Sequence, residues 1–259
     1  MLQSIRILDE APPTADARIP YGSNKNQFFD LRVPSNRDRN PVLLFVHGGY
    51  WRAQYDLVHA GHACAALTKA GIATCNLEYR RVGDGGGWPT TFDDVRIAWG
   101  HLQQRAGEYG SRYSLDMDRL AVAGHSGGGQ LALWLAARGA KLLAAISLAG
   151  VIDLRRAYEL HLSNDAVVEL LDGTPEQVPE RYRDADPARL KIRTQQVIIH
   201  GSKDDVVPPE ISRDYVRDKQ RKGEQITAIE IPGADHFALV DPQSRAWSKV
   251  QDAILRLFR

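Results

Sequence analysis

Cysteine is scarce in this chain. Its 259 residues contain two, Cys64 and Cys75, too few for a disulfide framework or a four-ligand zinc site. Both are expected to be buried, reduced thiols, which suits a cytoplasmic protein. An excess of one charge is also missing. With 33 Lys+Arg against 32 Asp+Glu, the formal net charge is +1, and no basic footprint for nucleic acid exists. No stretch of about 18 apolar residues is free of charge, the length a membrane-spanning helix needs. The longest apolar region, 131–154, is broken by Arg138 and Lys141. The opening MLQSIRILDEAPP holds no apolar core long enough for a secretory signal. Internal repeats and low-complexity tracts are absent.

What remains is an ordinary globular composition, 43% hydrophobic and 25% charged. A chain of this length buries roughly 70–75% of its unfolded surface, so neither disulfide nor metal is needed for stability. Short apolar runs alternate with helical patterns. Val42–Val46 (VLLFV) reads as a strand buried on both faces. Residues 53–70 read as a helix stopped by Gly71, and 72–79 as the next strand. Thr90 or Thr91 with Asp93 or Asp94 three positions on resembles a capping box. Phe92, Val95, Ala98 and Leu102 follow at helical spacing. Leu120–Ala123 is a predicted strand, 128–138 a helix, and 142–148, 196–199 and 226–231 further strands. Trp247, Val250, Ile254 and Phe258 share one face of a closing helix. This alternation predicts an α/β fold, one domain with a mostly parallel central sheet flanked by helices. Residues 155–190, polar and carrying Pro175, Pro179 and Pro187, break the rhythm. They are expected to form a short cap-like insertion near the site.

The chemistry concentrates in three segments. Gly124-His125-Ser126-Gly127-Gly128 fits G-x-S-x-G between a predicted strand and a predicted helix, the context that pattern requires. A strand reversing tightly into a helix crowds the backbone, and glycine relieves the crowding. The serine is then presented beside a helix N-terminus, where negative charge is favoured. A serine hydroxyl needs a base. The order on such a fold is Ser, acid, His. His200-Gly201-Ser202-Lys203-Asp204-Asp205 offers two candidate acids after one strand, and Gly233-Ala234-Asp235-His236-Phe237 offers a histidine after the last. Both segments fall at strand carboxyl ends, where an open α/β sheet builds its site. His236 is the expected base, with Asp204 or Asp205 orienting it. His47-Gly48-Gly49-Tyr50-Trp51 has the HGG form of an oxyanion loop. Its donors are expected from the N–H of Gly127, with Gly49 and Tyr50 contributing. His47 is expected to order that loop. Trp51 and Trp88 are candidates for the substrate-pocket wall.

Together these segments resemble the α/β-hydrolase fold over nearly the whole chain. HGGYW is similar to the HGGxW motif of serine-type kynurenine formamidases (arylformamidases). The elbow GHSGGGQLALWLAAR with HGSKDDVVP and GADHF resembles small bacterial hydrolases of the prolyl oligopeptidase-like group. In those families the acid lies four residues after the His of HG, which selects Asp204. Arylformamidases often carry Ala where Gly127 stands and His where Gln130 stands. A prolyl oligopeptidase proper carries a propeller, for which this chain has no room. The resemblance implies a serine hydrolase acting on a small ester or amide through an acyl-enzyme. An aryl formamide such as N-formylkynurenine is the first substrate expectation, a short-chain carboxylester the alternative. A peptidase or a non-catalytic binding protein ranks below them. No cofactor, metal, nucleic-acid or membrane partner is expected, and no oligomeric state follows from the sequence. His59 and His62 lie three apart on a predicted helix without a third ligand, so packing or solvation is their expected role. The glycine-rich 83–88 lacks the Lys-Ser/Thr of a phosphate loop.

Overall fold

A computed structural model describes residues 7–35 and 39–259. Of the opening segment weighed above, residues 1–6 lie outside it. The strands are β1 (Ala17–Pro20), β2 (Phe28–Arg32), β3 (Asn40–Val46), β4 (Ala73–Leu77), β5 (Leu115–His125), β6 (Ala144–Leu148), β7 (Gln195–Gly201) and β8 (Ile226–Ile231). They form one sheet in the order β1-β2-β4-β3-β5-β6-β7-β8. Strands β4-β3-β5-β6-β7-β8 run parallel, and β1 and β2 pair antiparallel at one edge. The helices are α1 (Gly61–Lys69), α2 (Thr90–Gln104), α3 (Ala106–Tyr113), α4 (Gly127–Ala137), α5 (Leu154–Glu159), α6 (Ala166–Leu171), α7 (Pro179–Ala185), α8 (Pro209–Arg221) and α9 (Trp247–Arg256). This is the α/β-hydrolase fold. Among the described residues no helix is long and apolar enough to cross a membrane.

The run VLLFV is apolar throughout because both faces of β3 are covered. Val42, Leu44 and Val46 belong to the core layer that holds Phe92, Leu131 and Leu133, while Leu43 and Phe45 belong to the opposite layer with Cys64, Leu67 and Val250. Side chains alternate along a strand, so a strand between two helical layers needs no polar position. The cysteines fall on opposite faces of the sheet, both free and fully buried. Burial pushes the Cys64 thiol up to about 12, which leaves it protonated and inert.

Several boundaries differ from the sequence reading. The segment 53–70 is helical only from Leu57, through a 3-10 turn capped by Asp56 and then α1. The expected capping box at Thr90–Asp94 does not form. Pro89 precedes α2, and Thr91 Oγ1 instead accepts from Gly87 N and donates to Arg80 O. Asp94 is fully buried and takes a forked pair of bonds from Arg80, at 2.8 Å from Nε, with Gln27 Nε2 at 2.7 Å. A tertiary partner thus outcompetes the local cap.

Between β6 and β7 the chain leaves the sheet over α5, α6 and α7. The excursion is anchored to α4 by Gln130 Nε2 on Ala185 O at 2.8 Å and Trp134 Nε1 on Asp184 O at 3.0 Å. At its base Asp186 is almost completely buried and accepts from Ala188 N at 3.1 Å. Burial, reinforced by Asp153, pushes Asp186 up to about 7. An unfolded carboxyl releases its proton near 4, so between these values the folded chain binds more protons. The stabilisation is full below about pH 4 and is lost as pH rises through 7. Asp186→Asn, which has no proton to lose, is expected to melt with the parent at pH 4.5 and above it at pH 8. Thermal unfolding at the two pH values checks this; a gap that does not widen with pH would contradict it.

Candidate active site

Four parallel strands, β3, β5, β7 and β8, deliver their carboxyl ends to one edge of the sheet, and the HGGYW loop, Ser126, Asp204 and His236 follow those ends. Ser126 follows β5 at φ 56° and ψ −123°, a conformation a non-glycine residue holds at a cost of order 1–3 kcal/mol. Its surroundings enforce it. Ser126 N donates to Leu148 O at 2.9 Å, and Ser126 O accepts from Gly129 N and Val151 N at 3.0 and 3.2 Å. The glycines about it are obligatory by contact. A Cβ on Gly124 would lie 2.0 Å from Gly128 O, and one on Gly128 2.1 Å from Val46 O. At Gly127 the nearest atoms to an added Cβ are those of the Trp51 ring, at 3.0 Å. Gly127→Ala is therefore expected to fold with a small repacking of Trp51, whereas Gly128→Ala loses the elbow. The far-larger drop in melting temperature for Gly128→Ala is the measurement that checks this.

The acid and the base meet because their loops are laced together. Ser202 N donates to Ile231 O at 3.0 Å and Lys203 N to Ala234 O at 2.9 Å. This lacing brings Asp204 to His236, whose Nδ1 lies 2.7 Å from Asp204 Oδ2. Asp204 Oδ1 accepts from Val206 N and Val207 N at 2.9 and 2.8 Å. Burial alone would raise this carboxyl, but the hydrogen bonds from His200 and His236 outweigh it and hold Asp204 well below the usual range. Asp205 is exposed and stands apart from the imidazole, so geometry separates the two candidates that spacing left open. Asp235 is spent locally, accepting from Ala238 N at 2.9 Å.

Ser126 and His236 line one cavity of about 310 Å³. Among the described residues no hydrogen bond joins Ser126 Oγ to the His236 ring.

The HGGYW loop bends over the same cavity through three consecutive left-handed residues, Gly49 (φ 104°), Tyr50 (φ 49°) and Trp51 (φ 59°). Gly49 and Tyr50 line the cavity. Tyr50 OH donates to Val206 O at 2.9 Å, and Trp51 Nε1 to Gly127 O at 3.0 Å. The loop is thereby pinned to both the acid loop and the elbow. Gly127 N opens α4 and has no acceptor within that helix, so its N–H is available to a developing oxyanion. His47 does order the loop: Nδ1 donates to Gly48 O at 2.7 Å, Nε2 lies 3.2 Å from Glu78 Oε1, and the ring stacks on Tyr79.

The two expected pocket tryptophans are not on the wall. Trp51 is completely buried behind the elbow, held there by its bond to Gly127 O. Trp88 packs edge-on against Phe92 at 4.9 Å, beneath the insertion. Sequence reading missed the residues that do line the cavity: Arg52, Gln54, Tyr55, His59, Val206 and Phe237. Three of them sit within a few residues of HGGYW, so loop adjacency was the available signal. His59 is a packed histidine, as expected, and burial depresses it to about 3; His125, under the elbow, is likewise held well below its ordinary value by burial. Both imidazoles are therefore neutral at ordinary pH.

The insertion reaches the cavity through Ser163. Arg52 clasps it, with Nη1 on Ser163 Oγ at 3.0 Å and Nε on Glu169 Oε2 at 2.7 Å. Around the clasp His161, Ser163, Asn164 and Asp165 all have φ near +50°. An exposed ion pair contributes about 0–1 kcal/mol. Arg52→Ala is thus expected to leave the melting temperature nearly unchanged while raising KM severalfold, which steady-state kinetics with thermal melting would check.

The BD-FAE family matches residues 29–218 of this chain. Esterase LipC of Mycobacterium tuberculosis is 28% identical over 86% of this chain, which spans 60% of that protein's length. Kynurenine formamidase of Danio rerio is 20% identical, covering 86% of this chain and 75% of that protein. Among solved structures, esterase B from Lactobacillus rhamnosis superposes with a TM-score of 0.83 at 18% identity, over 98% of this chain and 90% of that one. A truncated carbohydrate esterase from gut microbiota superposes with a TM-score of 0.80 at 20% identity, over 96% and 99%.

Proposed function

Because the chain belongs to the BD-FAE family, we propose that it is a serine hydrolase cleaving a small ester or amide through an acyl-enzyme. The observation that carries this reading is the 2.7 Å bond between His236 Nδ1 and Asp204 Oδ2, in a cavity shared by His236 and the strained Ser126. In this reading Ser126 Oγ attacks the substrate carbonyl while His236 takes its proton. The tetrahedral oxyanion is held by the N–H of Gly127, with Gly49 or Tyr50; each donor is worth roughly 3–4 kcal/mol in the transition state. His236 then protonates the leaving group, and water returns through the same base to release the acid. Asp204 keeps the imidazole in the Nδ1–H tautomer and stabilises the imidazolium.

A cavity of about 310 Å³ is at the small end of ligand sites, which favours a short acyl group. The esterase relatives support a short-chain carboxylester as substrate. The HGGYW motif and the formamidase relative support an aryl formamide such as N-formylkynurenine. Steady-state turnover of p-nitrophenyl acetate and of N-formylkynurenine by the same preparation separates them. Ester cleavage without formamide cleavage rejects the formamide, and turnover of neither, nor of other short p-nitrophenyl esters, overturns the reading as a whole.

A further inference from the structure

His200, next to last in β7, has no part in the chemistry above, yet it touches the acid. Its Nε2 lies 3.1 Å from Asp204 Oδ2 and 2.9 Å from Val207 O. Its Nδ1 lies 2.7 Å from Ser212 Oγ on α8. The ring is almost fully buried. A carboxylate and a peptide carbonyl only accept, so Nε2 of the neutral imidazole carries the proton, and Nδ1 accepts from the Ser212 hydroxyl. Counting donors then closes the account of the carboxylate. Oδ1 holds two backbone N–H groups; Oδ2 accepts from His236 Nδ1, and the His200 N–H, bonded to Val207 O, also lies against it at 3.1 Å.

We propose that His200 is a positioning residue: by sharing Asp204 Oδ2 with His236, it aims that oxygen and limits how strongly it stabilises the His236 imidazolium. This rests on the reading of Ser126, His236 and Asp204 given above. The physics is competition for one lone-pair region. A donor already seated on Oδ2 disperses part of its charge. With that donor gone, the oxygen is a stronger acceptor for His236, and His236 holds its proton to higher pH. The other charged or titratable groups around His200 are few. Glu230 is its register partner on β8, and Arg213 on α8 is paired with Glu230 at 2.8 Å. Tyr50 bonds the acid loop at Val206 O, and the His125 ring lies 4.5 Å from that of His236. None of these donates to Oδ2, so no neighbour replaces His200 in that role. His200 lines the cleft between α8 and β8, not the cavity over Ser126, so it does not touch substrate.

The test is the pH profile of kcat/KM for p-nitrophenyl acetate in His200→Leu, His200→Gln and Ser212→Ala. In His200→Leu the acid limb is expected to move up by about 0.5–1 pH unit, less than the roughly 1–2 units of a hydrogen bond made directly to a charged group because the effect passes through Asp204, with KM unchanged. His200→Gln keeps an N–H donor and is expected to bring the limb back toward the parent. Ser212→Ala frees Nδ1 and loosens the tautomer, giving a smaller shift in the same direction. A merely structural role would lower kcat/KM at every pH and leave the limb in place. That result, in His200→Leu or, should that variant not fold, in Ser212→Ala, overturns the proposal, as does a glutamine variant that matches leucine. Ser126→Ala in the same assay keeps the two readings apart. If it remains active, the assignment of the reacting groups is wrong; if it is inactive and the acid limbs coincide, only the role of His200 falls.

Discussion

Ser126→Ala is expected to abolish hydrolysis, with kcat/KM for p-nitrophenyl acetate falling by about 10⁴-fold or more. Loss of the nucleophile from a Ser-His-Asp unit leaves only what binding and the oxyanion donors contribute. The variant should fold. Alanine differs from serine by one oxygen, and the backbone bonds that enforce φ 56° involve Ser126 N and O rather than its side chain. A fluorophosphonate probe is expected to add mass to the peptide carrying Ser126 in the parent and to nothing in the variant. Because the hydroxyl is the sole change, retained turnover in a folded Ser126→Ala protein would remove Ser126 from the reaction. The elbow itself offers an independent check on strain. Ser126→Gly relieves a conformation worth about 1–3 kcal/mol, set against a glycine entropy cost of about 0.5–1 kcal/mol. Ser126→Gly should therefore melt at or above Ser126→Ala.

The parts of the fold that could be read ahead of the structure are those whose signal is local. VLLFV announces a doubly covered strand, and β8 carries its predicted bounds because Gly223 and Gly233 bracket it. The elbow is legible because the requirement for glycine there is a short-range clash with backbone. What escaped is tertiary. Strands β1 and β2 are an antiparallel addition at the sheet edge, and β2 (FFDLR) carries two charges that find partners elsewhere: Asp30 pairs with Arg18 at 2.8 Å and Arg32 reaches Pro13 O at 2.7 Å. Helix α8 was hidden by its polarity, although Ile211, Tyr215 and Lys219 recur at helical spacing. Lys219 looks like a surface residue in sequence, yet it is buried against Leu190 O and Glu224. The two tryptophans were misplaced for a related reason. An aromatic beside a catalytic motif serves a pocket wall and a core equally well, and only the Gly127 carbonyl that receives the Trp51 N–H decides. The residues alone leave the adjacent aspartates open, and only the family offset from His200 points to Asp204; the physical reason lies in how the β7 and β8 loops are laced.

That choice yields the second large effect. Asp204→Asn is expected to cut kcat/KM by about 10⁴-fold, because an amide can present its NH₂ to His236 Nδ1 and stabilise the wrong tautomer. The proton would then sit on Nε2, and the ring could no longer accept from Ser126. The loop should survive the change, since the amide oxygen can still take the N–H groups of Val206 and Val207, now 2.9 and 2.8 Å from Oδ1, and the His200 N–H, losing its approach to Oδ2, keeps Val207 O. Asp205→Asn, one residue along and exposed to solvent, is expected to retain the parent's rate, because its charge is screened and makes no bond to the imidazole. The pair is informative because the substitutions are chemically identical and differ only in position. Equal losses would mean that net negative charge in the loop matters, not the geometry at Oδ2. Loss at Asp205 alone would mean that the loop rearranges to bring the other carboxylate to His236. Loss confined to Asp204 ties the rate to a single 2.7 Å hydrogen bond, and with it to the tautomer that makes His236 a base.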